Sequence, residues 1–240
     1  MNADYIQHWG SDLVVVNAAR CSMDKESSWE DDVSKMTTGA DHNGTYWNNT
    51  LRERDVKLVN YLAKHQHYTP FEHCGVTLRL KVPLFVRSQI HRHRTFSFNE
   101  VSRRYVKDDL QFYWPDKWRK AAENVKQGSS DEAITKIVVK DFDDEWTTTP
   151  EQEAKSVAYR AMAAFTSMVD AGVCAEQSRM ILPQNMYTTF YMSGNLRNFC
   201  HFLKLRLDSH TQKECRDVAE MCAKIIEPLF PVSYRALMTT

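Results

Sequence analysis

Two kinds of apolar pattern recur along the chain, and together they predict both strands and helices. The segment 76–82 alternates apolar and polar residues strictly, which predicts a strand with one face in contact with solvent. The short apolar, β-branched run at 13–19 predicts a buried strand, and the aromatic and β-branched run at 187–192 predicts another. None of these runs is long enough to cross a bilayer.

Helical periodicity, combined with helix-start residues, covers much of the remaining chain. Thr149 and Pro150 have the cap and first-turn positions of a long helix that Gly172 ends. Thr50 and Glu53 have capping-box spacing, and Pro83 can open a helix after the strand. Helices are therefore predicted over about 50–64, 84–93, 118–126, 150–172, 174–182, 196–203 and 212–226, with loops at 95–101 and, unless it is an edge strand, at 104–115.

Composition restricts the class of protein. The 240 residues include 31 Lys and Arg and 31 Asp and Glu, so the formal net charge is zero. A general nucleic-acid or membrane-surface binder usually carries a basic surplus, which this chain lacks. Six cysteines form no Cys-x-x-Cys pair, and no secretory signal is present, so we expect free thiols in a cytoplasmic protein.

A local cluster of positive charge stands out against this neutral background. Five arginines lie within 87–104, with His91 and His93 among them. The rigid fork of a guanidinium group suits phosphate oxygens, so the cluster indicates a site for a small anion. At helical spacing Gln89, Arg92 and His93 share one face, and a loop would return Ser102 and Arg104 toward it. The alternative is a solvated basic helix end.

Two other functions remain open on the residues alone. The cluster could grip RNA or DNA phosphates as a binding module, although no stacking motif accompanies it. Alternatively, a metal-dependent phosphohydrolase could use four histidines, which are His65, His67, His91 and His93. No Asp or Cys stands at ligand spacing beside the first pair, and the second pair points about 200° apart on a helix. We therefore predict no metal site.

The motif Arg92-His93-Arg94, then seven residues, then Ser102 resembles the signature of the flavin-dependent thymidylate synthases, the ThyX family. The match extends to Asn99-Glu100 before the serine and Arg104-Tyr105 after it. Similar segments follow the family pattern at 18–22, 67–73, 176–183, 195–197 and 205–210. An extended match of this kind is far more specific than a match of three residues alone.

The resemblance implies a fold and a reaction. The fold would be α+β, with a central antiparallel or mixed sheet flanked by helices, in one domain spanning 1–240. The protein would be a homotetramer with active sites between subunits. The reaction would convert dUMP to dTMP, with 5,10-methylenetetrahydrofolate as carbon donor, NADPH as reductant and FAD relaying the hydride. No cysteine nucleophile is implied.

The resemblance also assigns site residues. Those for dUMP are Gln89, Arg92, Glu100, Ser102, Arg103, Arg104, Arg179 and Arg206. Those for FAD are Ser22, Thr69, Glu72, Arg92, His93, Arg94, Asn99, Glu100, Asn195, Arg197 and His201. His67 and Tyr105 would lie near folate or nicotinamide. Arg206 would be catalytic, as a fixed cation that stabilises charge on the pyrimidine.

The chain departs from the family pattern in three places. Residues 24–49 are polar and turn-rich and look like an insertion, in which Ser27 and Glu30 could cap a short helix at 29–36. A lid, an oligomer contact and a neutral insertion are all compatible with it. Arg103 stands where the family has a small residue, and His201 where some relatives have Asn.

Overall fold

A four-stranded antiparallel sheet forms the centre of the fold. The computed structural model describes residues 1–30, 50–123, 128–142 and 144–240, together with the backbone of 38–40 and 46–48. The sheet has the order β1-β4-β10-β5, from strands Asn2–Trp9 (β1), Gly75–Pro83 (β4), Ser97–Glu100 (β5) and Tyr187–Asn195 (β10). Every neighbouring pair is antiparallel, which confirms the predicted fold class.

The remaining described strands form small hairpins outside this sheet. They are Thr38–Ala40 (β2) with Tyr46–Asn48 (β3), Arg119–Ala121 (β6) with Ser129–Ala133 (β7), and Ile137–Asp141 (β8) with Asp144–Thr148 (β9). The described helices are Asp12–Arg20 (α1), Glu53–Lys64 (α2), Leu84–Ile90 (α3), Pro150–Asp170 (α4), Ala175–Ser178 (α5), Leu196–Arg206 (α6), Lys213–Ile226 (α7) and Pro231–Thr239 (α8). None of the helices described is long and apolar enough to cross a membrane.

The core lies between the sheet and helices α2, α6, α7 and α8. In β4 the alternating side chains Val76, Leu78, Leu80 and Val82 are fully buried. The predicted solvent-facing side of this strand is only partly correct, because Thr77 is also buried and bonds the Ser193 hydroxyl. Arg79, the next residue on that face, is exposed as predicted.

One element near the start of the chain was predicted with the wrong type. Residues 13–19 belong to helix α1, in which Asp12, Val15 and Val16 are buried at helical spacing. The Asp12 carboxylate accepts the backbone N–H groups of Val232 and Ser233, each at 2.9 Å, and so ties α1 to α8. Tertiary burial here outweighs the weak strand preference of the β-branched run. Neither β1 nor α8 was predicted.

The motif segment also differs from its prediction. Helix α3 ends at Ile90 and not at residue 93, so the Arg-His-Arg triplet lies in the turn that follows. Residues 97–100 of the predicted loop form strand β5, which pairs with β10. Residues 119–121 form a strand and not a helix, because they pair with β7. The segment 104–115 is a loop, with one isolated bridge from Phe112 to Met186.

The helix starts were predicted with mixed success. Thr149 caps α4 in a full capping box with Gln152, as expected, but only Ala158 and Phe165 of its stripe are buried. Helix α2 begins after Arg52, so Thr50 is not its cap. Ser27 does not cap a helix, since its hydroxyl donates to Asp55, and residues 31–36 of the predicted short helix lie outside the described residues. All six cysteines are free, as expected.

Candidate active site

The turn after α3 presents two cations to solvent. Arg92 and Arg94 are exposed, and among the described residues neither side chain makes a hydrogen bond or an ion pair. His93 between them points inward, where its ring meets the edge of Phe202 at 5.1 Å. This alternation of exposed and half-buried side chains differs from the predicted helix face, because α3 ends at Ile90. Two unpaired guanidinium groups side by side suit an anionic ligand.

His93 and Arg206 form a pair at the centre of this region. The Arg206 Nε–H donates to His93 Nε2 at 3.0 Å, and Nη2 donates to the backbone carbonyl of Gln89 at 3.0 Å. Burial, then the charges of Arg206 and His201, lower the pKa of His93 to about 4. The imidazole is therefore neutral near pH 7 and accepts at Nε2, so its proton resides on Nδ1. Of the three residues predicted to share a helix face, His93 and the backbone of Gln89 contact Arg206, whereas Arg92 is exposed.

The Glu100 carboxylate is held by groups that the family resemblance did not assign. Arg87 donates to it through Nε at 3.1 and 2.9 Å and through Nη2 at 2.7 Å, and the Thr188 hydroxyl donates at 2.8 Å. Both partners were detectable in principle, since Arg87 belongs to the cationic cluster and Thr188 occupies an inward position of an alternating strand. Three donor groups therefore fix the position of this carboxylate.

A cavity of about 280 Å³ opens beside Glu100. Its polar lining consists of Arg87, Glu100, Ser102, Arg103, Arg179 and Thr188. Arg179 is exposed, and its side chain has no hydrogen bond within the described part of the chain. The structure thus gathers several predicted dUMP residues around one concave surface.

The other two arginines near this cavity have protein partners. Arg103 donates to the carbonyl oxygens of Asp108 at 3.0 Å and Tyr187 at 3.5 Å, and burial lowers the pKa of its side chain. Arg104 pairs with Glu176 at 3.1 Å and lies over the exposed ring of Tyr105. Arg103 therefore has a structural role in this chain, at the position where the family has a small residue.

A separate cavity of about 300 Å³ lies at the start of α6. It is lined by Tyr68, Arg197, Asn198 and His201, among others. Arg197 pairs with Glu72 and stacks on Tyr68, with its guanidinium carbon 4.6 Å from the ring centre. Asn195 caps α6 by accepting the Asn198 N–H at 2.9 Å. Thr69 begins the short 3-10 turn that carries Glu72.

Several predicted site residues lie on other surfaces. Ser22 lies in the 3-10 turn that follows α1, and its hydroxyl donates to the Ala19 carbonyl at 3.2 Å. Asn99 is exposed on strand β5, and His67 is exposed beside the ring of Tyr61. The residues that were predicted to bind dUMP, FAD or folate therefore lie in at least three concave or exposed regions of one chain.

The described residues do not support the metal alternative. No group of three or more potential metal ligands occurs among them. His91 stacks on Phe98 at 4.1 Å, with Phe190 edge-on at 4.9 Å, and its pKa is lowered by burial, then by the charge of Arg87. His91 therefore packs between aromatic rings.

The scaffold is thus an antiparallel α+β fold that places exposed, unpaired arginines beside a neutral histidine and a half-buried arginine, an arrangement suited to anionic ligands. The chain belongs to the family described as thymidylate synthase complementing protein (Thy1), whose sequence model matches residues 4–232. This result confirms the family that the Arg92–Ser102 motif predicted.

Curated relatives and solved structures agree with this assignment. The flavin-dependent thymidylate synthase of Thermus thermophilus is 36% identical over 192 residues, which are 78% of this chain and 64% of the relative. The chain thus spans about two-thirds of that relative's length. The Thermotoga neapolitana enzyme of the same name is 33% identical over 95% of this chain and 87% of its own. The UMP/dUMP methylase PolB from Streptomyces cacaoi, solved with 5-Br dUMP, has a TM-score of 0.72 at 28% identity, covering 99% of this chain and 94% of its own.

Proposed function

We propose that this protein is a flavin-dependent thymidylate synthase, which converts dUMP to dTMP with 5,10-methylenetetrahydrofolate as carbon donor and NADPH as reductant. The observation that carries the proposal is the pair of unpaired arginines, Arg92 and Arg94, beside the His93–Arg206 contact. Membership of the Thy1 family and the likeness to a dUMP methylase support the same chemistry. The whole chain is one catalytic domain, in which 24–49 is an insertion.

Two groups of residues fit the two ends of a nucleotide, its phosphate and its pyrimidine ring. Arg179 and Ser102, at the 280 Å³ cavity, bind the phosphate, together with Arg104 once it leaves Glu176. Glu100, fixed by Arg87 and Thr188, accepts a sugar hydroxyl or orients a neighbouring group. The pyrimidine lies against Arg206, whose Nη1 makes no hydrogen bond among the described residues.

Arg206 performs the activating role. Its guanidinium group stabilises negative charge that develops on the pyrimidine oxygens when C5 becomes nucleophilic. His93 and the Gln89 carbonyl hold this guanidinium in place before the substrate arrives, so little reorganisation is needed. Because His93 is neutral, it orients Arg206 without repelling it.

Two regions, the Arg92–Arg94 turn and the 300 Å³ cavity, carry groups that fit parts of FAD, which supplies the hydride relay between NADPH and the nucleotide when it is bound. Arg92, Arg94, Arg197 and His201 offer cationic and polar donors to its phosphates and ring. The Cys200 thiol, which lines the 300 Å³ cavity, does not offer an alternative route, because burial raises its pKa to about 12. A thiol with this pKa is not a nucleophile near pH 7.

Residues for one active site come from more than one subunit of a homotetramer. The 300 Å³ cavity is at the lower end of the roughly 300–1,000 Å³ range of small-molecule sites and is too small for a dinucleotide. Ser22, Arg92 and Arg94 line neither this cavity nor the 280 Å³ cavity of Ser102 and Arg179. Association of identical chains would bring such surfaces together.

A flavin spectrum and an oxidation assay test the proposal. The purified protein should show flavin absorbance after FAD addition and should oxidise NADPH faster when dUMP is present. Arg92→Ala should weaken the binding of both ligands by about 1.5–3 kcal/mol each, the value of a hydrogen bond to a charged group. Arg160→Ala, at an exposed position of α4, is the matched control. A protein that remains colourless with FAD would refute the proposal.

A further inference from the structure

A line of hydrogen bonds joins the start of α7 to the motif helix α3. Arg119 Nη2 contacts the Glu214 carboxylate at 2.9 and 3.1 Å. Gln212 Nε2 donates to Glu214 Oε2 at 2.9 Å, and Gln89 Nε2 donates to Gln212 Oε1 at 2.6 Å. The backbone carbonyl of Gln89 in turn holds Arg206.

The ionised carboxylate at one end fixes the direction of every bond in the line. A carboxylate only accepts hydrogen bonds, so Gln212 must turn its NH₂ group toward Glu214. The Gln212 carbonyl oxygen then faces Gln89, which must donate a hydrogen bond from its own NH₂ group. The remaining polar atom of Gln89, the acceptor Oε1, is left over and has no hydrogen bond among the described residues.

The Glu214 side chain is well suited to this task. It is only 5% exposed, it lies in the first turn of α7, and Arg119 compensates its charge. Burial raises its pKa, but its own backbone N–H, the Gln212 amide and Arg119 outweigh burial, so the net pKa is lowered. Glu214 is therefore ionised near pH 7 and cannot act as a donor.

Resting on the proposed function, we infer that Glu214 is a positioning residue that acts through Gln212 to make Gln89 present an acceptor to the pyrimidine ring. Uracil carries a donor, N3–H, between two carbonyl oxygens, whereas cytosine has an acceptor at N3. The Gln89 acceptor matches uracil N3–H, and the neighbouring Arg206 donors match its carbonyl oxygens. Cytosine would place its N3 lone pair against Gln89 Oε1, so the line of bonds selects a uracil nucleotide.

The test compares the binding of dUMP and dCMP by titration of the flavin absorbance of FAD-loaded protein. In Glu214→Gln the amide at 214 can donate or accept, so Gln212 and Gln89 lose their imposed direction. The ratio of dCMP to dUMP dissociation constants should fall by roughly 3- to 10-fold, about one oriented hydrogen bond. The KM for dUMP should rise more than kcat falls, and FAD content should remain unchanged. Glu220→Gln, an exposed position on the same helix, should leave the ratio unaltered.

A double variant separates positioning from a merely structural role. Glu214→Gln combined with Gln212→Glu exchanges the two groups, so that a carboxylate again presents only acceptors to Gln89. The preference for dUMP should be recovered, although the Arg119 contact changes. If Glu214→Gln fails to fold, Gln212→Met at an exposed position removes the relay with less structural cost and should lower the ratio similarly.

The outcomes distinguish this inference from the proposed function. An unaltered ratio in both Glu214→Gln and Gln212→Met, with normal dUMP turnover, would overturn the inference alone. A lowered ratio that the double variant does not restore would also overturn it, because a structural defect would then explain the loss. A wild-type protein that binds neither FAD nor dUMP would overturn the proposed function and the inference with it.

Discussion

Replacement of Arg206 by lysine is the change with the sharpest expected consequence. Arg206 lies at the end of α6 and uses Nε for His93 and Nη2 for the Gln89 carbonyl, each at 3.0 Å. Lysine keeps the positive charge but has one nitrogen on a flexible stem, so it cannot retain both hydrogen bonds and also present a fork to the pyrimidine.

The magnitude follows from the donor that lysine cannot supply to the pyrimidine. Removal of one preorganised donor at developing negative charge costs about 2.7–4 kcal/mol, or about 10²–10³ in rate. Phosphate binding by Arg179 and Ser102 is distant from this change, so dUMP affinity should fall by a smaller factor, about tenfold for one hydrogen bond near 1.5 kcal/mol.

The assay measures dUMP affinity by flavin-absorbance titration beside dTMP formation in a single turnover. Arg160→Lys, at an exposed position of α4, controls for the substitution itself. We expect turnover to fall far more than affinity. Near-normal dTMP formation in Arg206→Lys would refute the activating role and leave Arg206 as a structural helix-end residue.

Three further predictions concern stability, pH and the motif serine. Asp55→Ala removes the fully buried partner of Arg20, 2.5 Å away, and should lower the free energy of unfolding by denaturant by about 3–5 kcal/mol. Glu145→Ala, which removes an exposed ion pair with Lys140, should lower it by about 0–1 kcal/mol. Equal costs would contradict the burial argument. The pKa of His93 is about 4 in the native state, below its ordinary 6.5, so the unfolded chain takes up that proton first and stability falls as pH drops through this interval. The wild-type Tm should therefore decline more steeply between pH 6.5 and 4 than that of His93→Gln, and parallel curves would argue against a buried neutral imidazole. Ser102→Ala should retain activity, reduced by roughly two- to tenfold for one neutral hydrogen bond, since the hydroxyl binds rather than attacks; complete loss with intact dUMP affinity would restore a nucleophilic role.

The sequence was sufficient for the family and only partly for the arrangement of the site. The extended Arg92–Ser102 motif led to a family that the comparisons confirm. Helical spacing placed Gln89, Arg92 and His93 on one face; in the structure His93 and the backbone carbonyl of Gln89 contact Arg206, whereas Arg92 is exposed. Helical spacing fails at Arg92 because α3 ends at Ile90.

The elements that were predicted wrongly depend on partners far away in the chain. Strand β5 exists because 97–100 pair with 190–193 of β10. Phe96 and Phe98 do alternate with polar residues, which was a usable strand signal. Helix α1 carries a β-branched run that favours strands locally, and its docking through Asp12 to α8 spans about 220 residues. Such long-range contacts have no local signature.

The hydrogen bonds behind the site could not be predicted from local sequence patterns, for the same reason. The contact of Thr188 with Glu100 and that of Gln212 with Gln89 join residues from separate elements. A single polar residue in a helix start or strand has many possible partners, and only the fold selects one. The direction of the Gln212 amide could then be derived from the acceptor-only carboxylate of Glu214.

Formation of dTMP from dUMP by the FAD-loaded protein tests the central claim most directly. The reaction would contain 5,10-methylenetetrahydrofolate and NADPH, and the products would be separated and identified by mass spectrometry. We predict dTMP that depends on FAD and on the folate carbon, with thiol-blocking of the exposed Cys21 and Cys174 having no effect on the chemical step. Protein that holds FAD and dUMP yet forms no dTMP under these conditions would contradict the proposed function.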